Sequence, residues 1–301
     1  MTREVLKFDD LTPYLLLKNG NFLYRVPFRD GEAVLKVYYG SRNTLEMALK
    51  SFENVVFGGQ TSYMPKTRLR IEAECLDIWA KHGFRVFDRY DDVEVVAPNC
   101  PADGYMLLEY VSKPKLNDYL SDTSISEEDR IGTYSRFVAE WGRRHEIAIR
   151  EREPRLVHEN GDGKHVMILD DGGFLWFDFE MVYRSRGKVA DHVSHEIVQY
   201  LWNILKSTPP ELKDALLSAT VEHYPDRDRL HRAYLLFFEH PNPFHRLGRA
   251  FDRNLGARRK KTNSKYHVAQ WLRATLSVRK GGLGLRNDAK HAACAWVPSR
   301  S

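Results

Sequence analysis

The feature that most constrains this chain is the order of two hydrophobic patterns along its 301 residues. Up to Ser112, most apolar residues fall in short runs rich in β-branched and aromatic side chains, as in strands. After Ser112 they recur mainly at the spacing of an amphipathic helix. This order predicts an α+β fold with two lobes, a β-rich first lobe with one helix and a mostly helical second lobe. The boundary is expected near Ser112–Pro114.

The first part contains recognisable local signals. Two apolar runs between Tyr14 and Tyr38 flank Asp30-Gly31, which predicts a hairpin. A polar region follows, and then TRLRIEAECLDIWAKHGF predicts a helix that Gly83 ends. VEVVAP and YMLLEYV have the character of strands.

The second part is read in the same way. The stretch SEEDRIGTYSRFVAEWGRRHEIAI predicts a long helix that begins at Ser126. Val166–Leu169 and Phe174–Phe177 are apolar runs joined by DDGG, which predicts a second hairpin. The chain from Asp191 onwards reads mostly as helix.

Composition narrows the class of protein. A hydrophobic fraction of 43% and a charged fraction of 29% are typical of a soluble globular protein. No apolar run is long enough for a membrane span, and the start MTREVLKFDD lacks a signal peptide's apolar stretch. The three cysteines form no CxxC pair, which argues against a zinc site or disulfide framework and suits the cytoplasm.

Charge is distributed unevenly. From Arg246 to the end there are 14 Lys+Arg and 2 Asp+Glu, whereas the rest of the chain is net acidic. A basic terminus suits an anionic partner such as a phosphorylated substrate, an acidic lipid surface or a nucleic acid, but a solvated basic tail is equally consistent.

Three segments carry residues suited to phosphoryl transfer, which needs a cation for the phosphates and a carboxylate for the metal. Lys36 lies within the strand-like run AVLKVY, and either Glu72 or Glu74 of the next helix could pair with it. The carboxylate of Asp178 stands in WFDFEMV, where burial among aromatic side chains is costly unless the group is paired or binds a metal.

The segment YMLLEYV looks like a hinge that binds adenine through its backbone. In that reading Leu108 shapes the pocket, and the carbonyl of Glu109 and the amide of Val111 face the base. A plain core strand would have a similar sequence.

The order of these segments resembles the protein-kinase superfamily over residues 14–205. The likeness is strongest to its atypical branches, the lipopolysaccharide-core (Kdo and heptose) kinases and the RIO/Bud32-like kinases. In those families the helix carries E-x-x-x-L and a later glycine, which favours Glu72 over Glu74. Asp191 resembles the aspartate that braces the catalytic loop. The chain departs from the family in two places, since the phosphate loop retains only Gly20 and Glu180 replaces the glycine of the DFG motif.

The loop LVHENGDGKHVMIL admits two alignments with the family's His-x-Asp motif. In the first, His158 and Asn160 stand for the motif's histidine and aspartate, and His165 takes the position of the metal-binding asparagine. In the second, Asp162 is the acid that positions the acceptor hydroxyl. We prefer Asp162, because it is the one aspartate in this loop before the strand. A simple turn is the alternative explanation.

The resemblance implies a kinase that uses ATP and Mg²⁺, or Mn²⁺, to phosphorylate a hydroxyl group. Lys36, paired with Glu72, would bind the phosphates, and Asp178 with His165 would hold the metal. The acceptor is expected to be anionic: a glycolipid or sugar first, otherwise a small molecule or a protein Ser/Thr. The expected location is the cytoplasm, with peripheral contact to the inner membrane face as an option.

Two other functions compete with this one. A pseudokinase would keep the fold as a binding scaffold without turnover, and a nucleic-acid-binding protein would use the basic C-terminus. The nucleic-acid reading ranks behind the other two. The expected units are a first lobe at 1–112, a second lobe at 113–245 and a basic helical extension at 246–301.

Overall fold

The computed structural model describes residues 4–39, 43–98, 100–238 and 265–280, together with Pro243 and Leu247. The strands are β1 (Glu4–Lys7), β2 (Leu15–Lys18), β3 (Phe22–Phe28), β4 (Gly31–Val37), β5 (Arg85–Val86), β6 (Val93–Val96), β7 (Tyr105–Glu109), β8 (Val166–Ile168) and β9 (Phe174–Trp176). The helices are α1 (Thr44–Val56), α2 (Pro65–Lys81), α3 (Leu116–Ser121), α4 (Glu127–Glu151), α5 (Val189–Ser207), α6 (Lys213–His223), α7 (Arg227–Phe238) and α8 (Lys265–Lys280).

The N-terminal part is built on an antiparallel sheet in the order β2-β3-β4-β7. The predicted hairpin is present as β3 and β4, with Phe28 paired to Gly31 across the turn. Because side chains alternate along a strand, Leu35 and Val37 are buried on one face and Lys36 projects from the other. That second face carries the functional cleft.

Helix α2 lies beside this sheet and ends where the sequence predicts. Its buried side chains include Ile71, Cys75 and Trp79, which join the larger hydrophobic core. Gly83 has a φ of +73°, the left-handed conformation that ends helices and that residues with a Cβ rarely adopt. The same helix holds Glu72 on a buried turn.

Two features of this part were not predicted. The region read as polar contains α1, which is capped at its N-terminus by Asn43, whose side chain accepts a hydrogen bond from the Glu46 amide. Strand β1 pairs in parallel with β6, far away in sequence, to form a separate two-stranded sheet.

The C-terminal part is mostly helical. Ser126 caps α4 as predicted, accepting a hydrogen bond from the Asp129 amide at 3.1 Å. The second predicted hairpin is β8 and β9, and β5 extends it in parallel to a three-stranded sheet. Helices α4 to α7 pack around a core rich in aromatic side chains, of which Trp141 and Tyr200 are fully buried.

The predicted fold class is confirmed: a β-rich first lobe is followed by a mostly helical second lobe, although the first lobe contains α1 as well as α2. Among the described residues, no helix has the length and hydrophobicity needed to span a bilayer. Of the basic extension predicted at 246–301, only Leu247 and α8 fall within the described residues.

Candidate active site

A cleft of about 850 Å³ lies between the two lobes. Most of the residues expected to act together line it: Lys36, Glu72, Leu108, Val111, Asn160, His165 and Asp178. Three other expected residues, His158, Glu109 and Asp162, are not part of its lining. The structure therefore brings residues from the sheet, α2, the hinge segment and two loops to one place.

The pair expected between Lys36 and Glu72 is formed. The Lys36 Nζ lies 2.9 Å from Glu72 Oε1 and 2.7 Å from Oε2, and the Tyr38 hydroxyl donates to Oε2 at 2.6 Å. Burial by itself lowers the pKa of Lys36, but the carboxylates of Glu180, Glu72 and Asp178 outweigh it and raise this pKa above its ordinary value. Lys36 is therefore a permanently charged ammonium group on the cleft wall.

Glu180 makes contacts that sequence reasoning missed. Its Oε1 lies 2.7 Å from Lys36 Nζ and also accepts a hydrogen bond from Asn21, and its Oε2 lies 2.9 Å from Arg68 NH1. Arg68 is fully buried on α2, where its NH2 also donates to the carbonyls of Gly20 and Tyr38 at 3.0 Å. One carboxylate thus joins the cation of β4, a cation of α2 and the turn between β2 and β3.

Asp178 and His165 face each other across the other side of the cleft. The His165 Nε2 is 3.1 Å from Asp178 Oδ2, and its Nδ1 is 3.1 Å from the Asn160 carbonyl. A carbonyl only accepts, so Nδ1 carries the ring proton. Burial lowers the pKa of His165 despite the Asp178 carboxylate, which favours the neutral ring. With the ring neutral, the lone pair of His165 Nε2 faces the Asp178 Oδ2 oxygen, so two acceptors lie 3.1 Å apart. A cation bound between them would stabilise this arrangement.

The contacts of His158 bear on the two alignments of the loop that was expected to be catalytic. Its Nε2 lies 3.1 Å from the Asp178 carbonyl, and its Nδ1 lies 2.7 Å from the Tyr200 hydroxyl. Burial lowers the pKa of His158 to about 4, so the ring is neutral. His158 therefore joins the loop to the segment that carries Asp178, and Asn160, two residues later, faces the cleft.

Glu196 on α5 braces this loop. Its Oε2 accepts the His158 backbone N–H at 2.9 Å, and its Oε1 pairs with Arg144 and accepts from Trp141 Nε1. Burial raises the pKa of Glu196, but Arg144 and His145 outweigh it and hold this pKa at about 2. The bracing role expected of Asp191 thus falls to Glu196.

Asp191 is placed elsewhere. It pairs with Arg232 at 2.6 Å in a partly exposed position in the first turn of α5. Nothing connects it to the catalytic loop among the hydrogen bonds and ion pairs of the described residues.

Asp162 has a local structural role in this geometry. Its Oδ1 accepts from the Lys164 amide at 3.1 Å and from Asn117 Nδ2 at 2.8 Å, and so caps the short 3-10 helix Gly163–His165. The side chain lies outside the cleft lining, whereas Asn160 and Lys164 are part of it. Of the two candidate residues, Asn160 faces the cleft and Asp162 does not, as the first of the two alignments expects.

Glu159 is a cleft carboxyl group that the sequence analysis did not single out. Its Oε1 accepts a hydrogen bond from Gln60 Nε2 at 2.5 Å. Burial and the neighbouring Asp178 carboxylate raise the pKa of Glu159 to about 7. No local sequence signal marks this group, because the raised pKa depends on residues far away in the chain.

The hinge segment follows β7. Leu108 is buried and lines the cleft, and the half-buried Val111 also lines it. The Glu109 carboxylate accepts from the Asp88 amide at 2.8 Å and pairs with Arg85 at 2.5 Å. Its side chain therefore fixes the hinge against the β5–β6 segment rather than entering the cleft.

Comparisons with known proteins add little beyond this geometry. No family model matches the chain, and no curated protein matches it. Among solved structures, the chain is similar to the Rio2 kinase from Chaetomium thermophilum, with a TM-score of 0.39 and 13% sequence identity, over 89% of this chain and 71% of that one.

Proposed function

We propose that this protein is an atypical kinase, a phosphotransferase that moves a phosphoryl group from a nucleotide to a hydroxyl. The observation that carries the proposal is one cleft that holds both the Lys36–Glu72 pair and the Asp178–His165 pair. Phosphoryl transfer depends mainly on positioning and on neutralising charge, which such a constellation supplies. ATP is the expected donor, with Leu108 and Val111 beside its base.

Asp178 and His165 would hold the divalent metal ion, Mg²⁺ or Mn²⁺, which would neutralise phosphate charge. The 3.1 Å between Nε2 and Oδ2 is close to the spacing of two adjacent ligands of one octahedral ion with bonds of about 2.1 Å. No cluster of three His, Cys, Asp or Glu side chains suited to a metal occurs among the described residues. This smaller set fits an ion that phosphate oxygens and water also ligate.

The acceptor hydroxyl would lie beside Asn160 and Glu159. An amide at Asn160 can orient a hydroxyl but cannot take its proton, whereas the Glu159 carboxyl, with a pKa of about 7, can do so. Asp162 remains in the proposal through its cap, which fixes the turn that presents His165.

The acceptor class is proposed from charge. The basic residues after Arg246 would favour an anionic acceptor, first a glycolipid or sugar, then a small molecule or a protein Ser/Thr. We also propose functional units at 1–112, 113–245 and 246–301, and a cytoplasmic protein that can approach the inner membrane face through its basic end.

The test is phosphate transfer from ATP with Mg²⁺ or Mn²⁺, in wild type and in Asp178→Asn. We expect a loss of about 100-fold or more, because one carboxylate supplies the main charge that holds the metal. Asp170→Asn is the matched control, since Asp170 is an exposed aspartate on the β8–β9 turn that pairs with Lys113 away from the cleft. Equal rates in Asp178→Asn and wild type would refute the proposal.

A pseudokinase is the second candidate, and the amide of Asn160 at the cleft favours it. It predicts nucleotide binding, seen as a thermal shift, without transfer to any protein, sugar or glycolipid. A nucleic-acid-binding role ranks behind both, because only the charge of the basic residues from Arg246 onwards suggests it.

A further inference from the structure

The carboxylate of Glu180 occupies a position that suits a phosphate group. It bridges two cations, Lys36 at 2.7 Å and Arg68 at 2.9 Å, and accepts a hydrogen bond from Asn21. These partners come from three separate elements and converge on Glu180, which lines the cleft together with Lys36 and Asn21. Convergent ammonium, guanidinium and amide donors are the usual protein ligands of a phosphate.

One of the two cations that hold Glu180 has a donor left without a partner in the described part of the chain. Arg68 is fully buried, and its Nε has no hydrogen-bond partner among the described residues. A buried donor without a partner is unfavourable, and Arg68 is already bound on its other two nitrogens. A phosphate group offers three oxygens where a carboxylate offers two, so it can satisfy this set more completely.

Charge balance shows why both anions cannot be present together. Lys36 and Arg68 carry two positive charges, and Glu72 and Glu180 already carry two negative ones. A phosphate brought against Lys36 would meet the Glu180 carboxylate at contact distance, and like charges in a desolvated site repel strongly. Glu180 must therefore leave before phosphate binds.

We propose that Lys36, Arg68 and Asn21 form a polyphosphate-binding site that Glu180 fills as an internal anion. Arg68 is then a second phosphate-binding cation, exposed to ligand only when the Glu180 side chain turns away. This inference rests on the proposed function for the identity of its natural ligand, the phosphates of a nucleotide.

The backbone next to Glu180 is consistent with a segment that has two positions. Asp178 has a φ of +76°, a left-handed conformation that is unusual for a residue with a side chain. Such strain persists only where the surroundings hold it, and it is concentrated at functional sites. The contacts of Glu180 with Lys36 and Arg68 are among those that hold this segment.

The experiment uses inorganic pyrophosphate as the probe and calorimetry as the readout, without divalent metal so that Asp178 does not contribute. Glu180→Gln keeps the shape of the side chain and removes its charge. We expect this variant to bind pyrophosphate at least about 10-fold more tightly than wild type. The double variant Glu180→Gln/Arg68→Lys keeps the charge but loses the guanidinium fork, and should lose most of the gain.

Glu32→Gln is the matched control, because it makes the same change of net charge at an exposed carboxylate paired with Arg25. If Glu180→Gln and Glu32→Gln bind pyrophosphate equally, the inference is wrong. An unchanged gain in the double variant would remove Arg68 from the site. Thermal melts of each variant exclude loss of fold as the cause.

The same variants separate this inference from the proposed function. Tighter pyrophosphate binding in Glu180→Gln without any phosphate transfer from ATP would support the internal anion and count against the kinase. Transfer by wild type with no gain in pyrophosphate binding would support the kinase and overturn the internal anion.

Discussion

Two carboxylates in this protein, the buried Glu196 and the half-buried Glu159, show how strongly a side chain's surroundings decide its chemistry. Glu196 is paired with Arg144 and His145 and accepts a backbone N–H, and its pKa is held at about 2. Glu159 has one neutral donor, Gln60, and faces Asp178, so its pKa rises to about 7. The first is a permanent structural charge, whereas the second can exchange a proton near neutral pH.

The raised pKa of Glu159 makes a prediction about stability. Between its ordinary value of 4.5 and about 7, the folded chain binds this proton more tightly than the unfolded chain, so rising pH costs stability across that window. Glu159→Gln removes this pH-dependent loss of stability. The free energy of unfolding of this variant relative to wild type is therefore expected to increase from pH 4.5 to pH 7.5, as measured by urea titration.

The control is Glu32→Gln, whose exposed carboxylate pairs with Arg25 outside the cleft. This variant removes the same charge away from the cleft, so it reports the effect of net charge alone over the same range. A Glu159→Gln curve parallel to wild type would contradict the assigned environment of Glu159.

Among the helices and strands, the sequence predicted the features that depend on interactions between neighbouring residues. Asp30-Gly31, Gly83 and Ser126 each mark a turn or helix end that a few neighbouring atoms determine, and the structure confirms them. Helix α1 was missed although its own signal, Asn43 followed three residues later by Glu46, is present in the sequence. The parallel pairing of β1 with β6 has no local signal, because it joins residues almost 90 apart.

The contacts of the candidate site likewise divide into those that the sequence could predict and those that it could not. Lys36 and Glu72 could be predicted because each lies in a recognisable element and a family resemblance links the two. The contacts of Glu180 with Arg68, and of Glu196 with His158, join distant segments and depend on how the lobes pack. Sequence spacing carries no information about them.

Helix α1 has an unusual exposure pattern that allows a test. Leu49 and Phe52 are 63% and 60% exposed, whereas Met47 on the same helix is 7% exposed. Leu49→Lys is expected to change the free energy of unfolding by less than about 0.5 kcal/mol, since it buries nothing new. Met47→Lys should cost about 2 kcal/mol or more, because it removes a buried side chain and introduces a charge. Urea unfolding of the two variants measures both values, and similar losses would show that α1 packs differently.

At the scale of the whole molecule, α8 joins the C-terminal segment to the core. Val268, Leu272 and Leu276 are buried, and they belong to the same hydrophobic cluster as the helices of the second lobe. Removing the C-terminus would therefore remove part of the core as well as positive charge. Neutralising single basic residues is a cleaner way to test binding of anions by this region.

The role of α8 predicts a specific loss of stability. Leu272→Ala should destabilise the protein by about 2–5 kcal/mol, the usual range for a fully buried leucine. Gln270→Ala, on the exposed side of the same helix, should cost less than about 0.5 kcal/mol. Chemical denaturation measures both, and equal small effects would mean that α8 does not pack on the second lobe in solution.

The Glu180 contacts also affect how any ligand screen of this protein should be read. A tethered group that competes for a site raises the dissociation constant of every external ligand by the inverse of the fraction of molecules in which the site is open. If closure is favoured by about 2 kcal/mol, that factor is about 30-fold, enough to turn a micromolar ligand into one of tens of micromolar. Concentrations chosen for an open cleft would then leave most molecules unbound, and saturation would require correspondingly more nucleotide.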